Sequence, residues 1–127
     1  MTKIEGVCKE VLEKTEWVAI ATAGTDGPHV VATWGDYVRA LGIAGEQLLI
    51  PMGYMSKTEE NVKHDSRVEL IAGTRQVAGA HGPGKGCSIV GKAHVQTSGT
   101  TFDAVKAKFP WARAALVVKV EKVEPQL

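Results

Sequence analysis

The sequence has almost no net charge, few aromatic residues and no long hydrophobic run. Its 15 Lys and Arg residues face 14 Asp and Glu residues, which gives a net charge of +1 at pH 7. That balance argues against a chain whose main task is to neutralise nucleic-acid phosphates or an anionic membrane. The apolar runs, such as residues 114–118, are far too short to span a bilayer.

The chain is also poor in the residues that build metal or nucleophilic centres. Its four histidines are scattered, with no pair at metal-ligand spacing. Two cysteines, Cys8 and Cys87, are too few for a disulfide framework or a four-ligand zinc site. Cys8 falls on an apolar helical stripe, so we expect a buried core thiol rather than a reactive one. Neither metal hydrolysis nor acyl transfer has a motif here.

Length and the amino-terminal segment indicate what kind of chain this is. The 127 residues are the length of one domain, and 44% of them are hydrophobic, enough to bury a core without disulfides. The first five residues carry an acidic residue and no apolar stretch typical of a secretory signal. We therefore expect a cytoplasmic protein with no membrane partner.

Hydrophobic periodicity predicts about six strands and three short helices. An apolar residue every three or four positions predicts a first helix, with Thr2 and Glu5 as a capping box at its start. Tyr37 and Val38 are read as prolonging the second strand, and Pro51 as ending the third. The predicted strands are 17–22, 29–34, 48–50, 67–72, 87–97 and 114–123, and the later helices are 57–64 and 100–108.

This order of elements predicts the fold class. The strands do not alternate regularly with helices, which disfavours a doubly wound parallel sheet. Six antiparallel strands must hide their edges, which favours a closed barrel with the helices packed outside it.

A cluster at the start of the second helix is typical of an anion site. Ser56, Lys57 and Thr58 would offer unpaired helical N–H groups, a positive charge and a hydroxyl donor to a phosphate group. The alternative is structural: Ser56 forms a capping box with Glu59, and Lys57 points into water. Both interpretations stay open on the residues alone.

Two further features bear on a ligand. The glycine-rich segment 79–86 matches neither a Walker A nor a dinucleotide-binding pattern, so it is a tight connection or a place where a ligand approaches the backbone. Trp34 and Trp111 offer broad apolar faces for stacking on a planar ring, or they fill the core. A phosphate site beside stacking aromatics fits a nucleotide or flavin mononucleotide (FMN).

Several short stretches occur in one order along the chain: 18–22, 26–29, 33–34, 55–59 with 61–62, 77–79, 82–86, 111–117 and Leu127. In these stretches the chain resembles the small FMN-binding proteins of the split-barrel, pyridoxamine-phosphate-oxidase-like superfamily. The resemblance runs essentially end to end, but this chain has Tyr54, Ser56 and Ala32 where one member of that family has Gly, His and Asn.

The resemblance implies one domain over residues 1–127 and a mostly β fold: a six-stranded antiparallel split β-barrel with about three short flanking helices. It also implies non-covalent FMN and a homodimer with the flavins near the subunit interface. Lys57 and Thr58 match the phosphate-binding pair. Trp111 and Leu127 match groups that cover the flavin from the second subunit. The remaining implied cofactor-binding residues are Thr33, Trp34, Pro51, Met52, Gly53, Arg75, Val77 and Ala78.

The resulting hypothesis is an FMN-binding redox protein that transfers electrons to a partner protein or a small molecule. The flavin carries the chemistry and the protein holds it, so no catalytic residue is assigned. One alternative is a flavin-dependent oxidoreductase acting on a small substrate. Another is a barrel that binds single-stranded nucleic acid by aromatic stacking, against which the +1 charge counts, so no nucleic-acid partner is expected.

Overall fold

The computed structural model describes residues 2–127, which form six antiparallel strands and four helices. Each predicted strand is present, and most extend beyond their predicted bounds. Within the described residues, no helix is long and apolar enough to cross a membrane. In chain order the elements are α1 Gly6–Lys14, β1 Trp17–Gly24, β2 Gly27–Trp34, α2 Gly35–Ala40, β3 Gln47–Met52, α3 Ser56–His64, β4 Arg67–Ala78, β5 Pro83–Gln96, α4 Thr100–Lys108 and β6 Ala114–Gln126.

The strands form one curled sheet in the order β2-β1-β4-β5-β6-β3, a half-barrel. The fold-class prediction of a mostly β, antiparallel split barrel is confirmed. The expectation of a fully closed barrel is wrong, because β2 and β3 remain edge strands. Pro51 lies inside β3, opposite Ala115, rather than ending it. An edge strand tolerates proline because one side of its backbone has no ladder partner.

The core lies on the concave side of the sheet, where alternate strand residues meet α1. Leu70 and Leu116, for example, have no measurable exposure, and Val11 of α1 is equally buried. A second, small cluster of Val105, Ala112 and Ala115 lies under α4. Alternation along β1 and the first half of β4 divides an inward apolar face from an outward face, whereas residues 114–118 of β6 are buried on both faces.

Residues 35–40 form the short helix α2, so the predicted strand extension through Tyr37 is wrong. Two sets of contacts favour the helix. Arg39 donates from Nη1 to the carbonyl oxygens of Leu12 and Thr15, 3.0 and 2.7 Å away. The Tyr37 ring packs on Phe109 with centroids 4.9 Å apart. Both contacts are made with segments distant in sequence, and hydrophobic periodicity within 35–40 cannot predict such contacts.

Neither predicted capping box forms. Helix α1 begins at Gly6 after Glu5, and no side chain caps it. The Thr2 hydroxyl instead donates to the carbonyl oxygen of Glu121, 2.8 Å away, which fastens the start of the chain to β6. The other predicted box, between Ser56 and Glu59, is absent from the start of α3.

Cys8 and Cys87 form a disulfide between α1 and β5, with their Cα atoms 5.4 Å apart. Both residues are buried, as predicted for Cys8, but the expected free thiol is wrong. The two cysteines are 79 residues apart, and only the packing of α1 against β5 brings them together. The disulfide therefore attaches the first helix covalently to the sheet.

Candidate functional site

The amino terminus of α3 presents free backbone donors. Met55 precedes the helix in the left-handed conformation, with φ of 55°, and Ser56 is the first helical residue. No side chain caps this end, so Ser56 does not form the predicted box with Glu59. The first N–H groups of a helix have no intrahelical acceptor. Those of Ser56, Lys57 and Thr58 therefore remain available to an anion.

Two side chains at this end suit a phosphate. The Thr58 hydroxyl is fully buried and has no hydrogen-bond partner. A buried, unsatisfied polar group is costly, and a ligand oxygen would satisfy it. Lys57 is about half exposed, and its ammonium lies 4.0 Å from Asp26, whose carboxylate is largely in water. Exposed pairs of this kind are weak, so Asp26 does not prevent Lys57 from binding an anion.

Gly53, at the end of β3, lies against Trp111. A Cβ atom at Gly53 would lie 3.4 Å from Cε3 and Cζ3 of the indole, in van der Waals contact with the ring. Trp111 also packs on Tyr37 and Phe109, with ring centroids 5.6 and 5.7 Å apart. The indole is 49% exposed. It is therefore supported by two rings while a large part of its surface faces outward.

The remaining predicted residues of β2 and β3 divide into buried and exposed members. Pro51 and Met52 are buried, and the Met52 side chain lies in the core, so it can reach a ligand only through its backbone. Thr33 is nearly buried, whereas Trp34 is 52% exposed. Trp34 lies opposite Trp17 in the β1–β2 register. A cleft of about 390 Å³ is lined by Glu16, Trp17, Ala32, Thr33 and Trp34.

Arg75, Val77, Ala78 and Leu127 lie elsewhere, around the β4–β5 hairpin. Ala80 donates its backbone N–H to the Leu127 carbonyl oxygen, 2.8 Å away, which holds the carboxyl terminus against the hairpin. Val77 packs in the core, so only its backbone is available to a ligand. An open cleft of about 640 Å³ there is lined by Gly73, Thr74, Arg75, His81, Gly82, Pro83, Gly84, Lys85 and Leu127.

The predicted residues thus form four groups within one chain. Lys57 and Thr58 share the helix end. Gly53, which follows the buried Pro51 and Met52, lies against Trp111. Thr33 and Trp34 line the cleft at β2, and the hairpin group lies around its own cleft. Trp17 and Arg113 were not predicted as site residues. Trp17 could have been found, because the hairpin register places it opposite Trp34. Arg113 carries no sequence signal, because its partners lie more than 50 residues away. Among residues 2–127, no group of three or more metal-ligating side chains occurs.

Comparison with known families identifies the class of protein to which this fold belongs. The family model described as pyridoxamine 5'-phosphate oxidase matches residues 4–126, so the chain belongs to that family. It is 48% identical over 124 residues to a protein named FMN-binding protein from Nitratidesulfovibrio vulgaris strain Miyazaki F. That match covers 98% of this chain and 99% of the relative.

Solved structures share the fold at much lower identity. HupZ from Group A Streptococcus superposes with a TM-score of 0.69 at 18% identity, covering 91% of this chain and 87% of that one. An FMN-binding protein from Syntrophomonas wolfei superposes with a TM-score of 0.65 at 15% identity, covering 94% and 88%. At these identities the similarity establishes the split-barrel fold alone.

Proposed function

We propose that this protein binds FMN and serves in electron transfer. The observation that supports the proposal is the uncapped start of α3, where the buried Thr58 hydroxyl lacks a partner and Lys57 supplies a positive charge. The 48% identical relative, named FMN-binding protein, supports it independently. Together these features fit the phosphate monoester of a flavin nucleotide rather than an uncharged ligand.

In this proposal each part of the site has one task. Bound FMN supplies one- and two-electron redox chemistry. Lys57 and Thr58 hold the phosphate, and the half-exposed indoles of Trp34 and Trp111 exclude water from the ring. Tyr37 and Phe109 keep the Trp111 indole in place. Because Trp34 and Trp111 are each about half exposed, a redox partner protein or a small molecule can approach the ring to exchange electrons.

Replacing Lys57 tests the phosphate assignment. Lys57→Ala should weaken FMN binding about 10- to 100-fold, because hydrogen bonds to charged groups contribute about 1.5–3 kcal/mol. Riboflavin, which lacks the phosphate, should lose less than about twofold. Flavin fluorescence titrations with both ligands measure the two dissociation constants. Lys14→Ala, at an exposed site at the end of α1, is the control and should change neither. Equal losses for both flavins would contradict phosphate anchoring.

We further propose a homodimer, because the outward face of the sheet is apolar. Trp17, Val30, Trp34 and Ile71 share that face by register and are 41–62% exposed. Exposed apolar patches of this kind mark interaction surfaces. A second copy would cover the patch and bring its Leu127 near the flavin.

The FMN proposal predicts a yellow protein, and the dimer proposal predicts that light scattering gives twice the mass of one chain. Ile71→Glu should yield monomers, because it places a carboxylate in the centre of the patch, where burial would be costly. Lys14→Glu on α1 alters charge away from this face and should remain dimeric. A wild-type monomer that binds FMN with unchanged affinity would contradict the dimer while leaving the flavin proposal intact.

A second candidate function is oxidoreduction of a small substrate. The open cleft of about 640 Å³ at the β4–β5 hairpin carries Arg75, His81 and Lys85, which would suit an anionic molecule. Steady-state turnover of the FMN-loaded protein with NADH or NADPH and an organic acceptor tests this function. Turnover that depends on Arg75 would favour the enzyme over the electron carrier.

We propose the cytoplasm as the location of the protein. Disulfides are rare in reducing compartments, but Cys8 and Cys87 are at most 2% exposed, and this burial would protect the bond from reductants once it has formed. Fractionation of the native cells, followed by detection of the chain in each fraction, tests the location. Recovery from the extracytoplasmic fraction would contradict it.

A further inference from the structure

Arg113, just before β6, makes an unusual number of contacts to the connection between β3 and α3. Its Nε donates to the Gly53 carbonyl oxygen at 2.7 Å, and its Nη2 donates to the Tyr54 carbonyl oxygen. Its Nη1 lies 2.9 Å from Oε1 of Glu59, one turn into α3. Its backbone N–H donates to the Met52 carbonyl oxygen at 2.9 Å. A single residue thus holds the end of β3 and the first turn of α3.

We propose that Arg113 is a positioning residue for the phosphate end of the site. It fixes the start of α3 relative to Gly53 and Trp111. Lys57 and Thr58 then reach the phosphate when the flavin ring lies beside Trp111. This inference rests on the proposed binding of FMN. Arg113 itself has no assigned contact with the ligand and acts through the connection that it holds.

The connection needs an external anchor. Tyr54 is 93% exposed, so its side chain does not anchor the segment to the described residues, 2–127. Met55 occupies the left-handed region, which is unfavourable for a residue with a side chain. The Arg113 guanidinium supplies this restraint, because its planar fork of donors contacts both carbonyl oxygens and the Glu59 carboxylate at once.

Arg113 also belongs to the segment that carries the aromatic end. Trp111, two residues earlier, lies against Gly53. Between them Ala112 is fully buried, and its carbonyl oxygen accepts a hydrogen bond from Lys106 Nζ at 2.8 Å. The segment is therefore held from both sides. Its position sets the place of the indole and, through Arg113, the place of the helix end.

A planar fork of donors is needed here, which lysine cannot supply. Arginine presents five N–H donors in fixed directions, whereas the lysine ammonium is a single rotating point charge. Arg113→Lys keeps the charge but loses simultaneous contact with Gly53, Tyr54 and Glu59. Because the side chain is 39% exposed, the change should affect geometry more than overall stability.

The experiment compares two flavins in two arginine variants. Arg113→Lys should weaken FMN about tenfold and riboflavin less than twofold, since only the phosphate contacts move. The matched control is Arg39→Lys, because Arg39 also donates to two backbone carbonyl oxygens, those of Leu12 and Thr15. The control should leave the ratio of the two dissociation constants unchanged. An unchanged ratio in Arg113→Lys, with Lys57→Ala still selective for FMN, would overturn the inference but preserve the proposed function.

A second measurement needs no flavin. Hydrogen–deuterium exchange of the flavin-free chain should be faster over residues 53–59 in Arg113→Lys than in wild type, and unchanged there in Arg39→Lys. Glu59→Gln keeps an acceptor for Arg113 but removes its charge, so it should show a smaller increase and serves if Arg113→Lys does not fold. Unaltered exchange over 53–59 in the folded variants would overturn the role of Arg113 regardless of FMN.

Discussion

Reduction of the Cys8–Cys87 disulfide is expected to lower the free energy of unfolding by about 4 kcal/mol. The bond closes a loop across a sequence separation of 79 residues. A loop of that length strongly restricts the unfolded chain, and the loss of this restriction on reduction accounts for the effect. An effect of this size is a large share of the stability of a small protein.

Urea unfolding with and without a phosphine reductant, at one protein concentration, measures this effect. A fixed concentration matters because dimerisation would make the apparent stability depend on it. The double variant Cys8→Ala with Cys87→Ala is the control and should not respond to the reductant. Equal unfolding free energies for wild type in both conditions would contradict the prediction, as would titratable thiols in the denatured, unreduced protein.

The fold was predictable where the information is local. Alternation of apolar residues along 67–72 identified β4, because one face of that strand is buried. The apolar run that begins at Ala114 identified β6, whose first five residues are all buried. The 100–108 helix was predicted with its observed bounds, since Pro110 follows its end. These elements depend on residues within a few positions of one another.

The fold could not be predicted where contacts between distant segments determine the local structure. Residues 35–40 became a helix because Arg39 and Tyr37 find partners in α1 and beside Trp111, not because of their own pattern. The disulfide needs the packing of α1 on β5, which no spacing of two cysteines reveals. The open barrel edge likewise depends on which strands pair, rather than on how many there are.

For the candidate site, the sequence located the helix end but left two interpretations of Ser56 open, as a cap or as part of an anion site. The structure excludes the cap, because Met55 precedes the helix and Ser56 is its first residue. The orphaned hydroxyl of Thr58 appears only when its surroundings are known. Arg113 escaped notice because its three acceptors come together only when β3 and β6 pair.

The second large effect is expected from Gly35→Ala, at the junction of Trp34 and α2. The backbone there is not in the left-handed region, so the requirement for glycine is one of space. An added Cβ would overlap the Thr15 carbonyl oxygen and lie 2.8 Å from Nη1 of Arg39. Relief of that overlap must separate β2 from the α1–β1 turn, which breaks the 2.8 Å hydrogen bond from Gly35 N–H to the Glu16 carbonyl oxygen.

Overpacking of this kind costs about 1–3 kcal/mol, and each lost hydrogen bond adds about 1 kcal/mol, so we expect a loss near 3 kcal/mol in urea unfolding. Gly45→Ala is the matched control, because its Cβ would meet nothing closer than the Gln47 nitrogen at 4.0 Å. That variant should stay within about 0.5 kcal/mol of wild type. Since Gly35 adjoins Trp34, the same shift should weaken FMN and riboflavin equally, in contrast to the phosphate-selective loss expected for Lys57→Ala. If the two alanine variants are equally stable, the turn at Thr15 moves without a measurable loss of stability. The close approach at Gly35 would then not determine the position of Trp34.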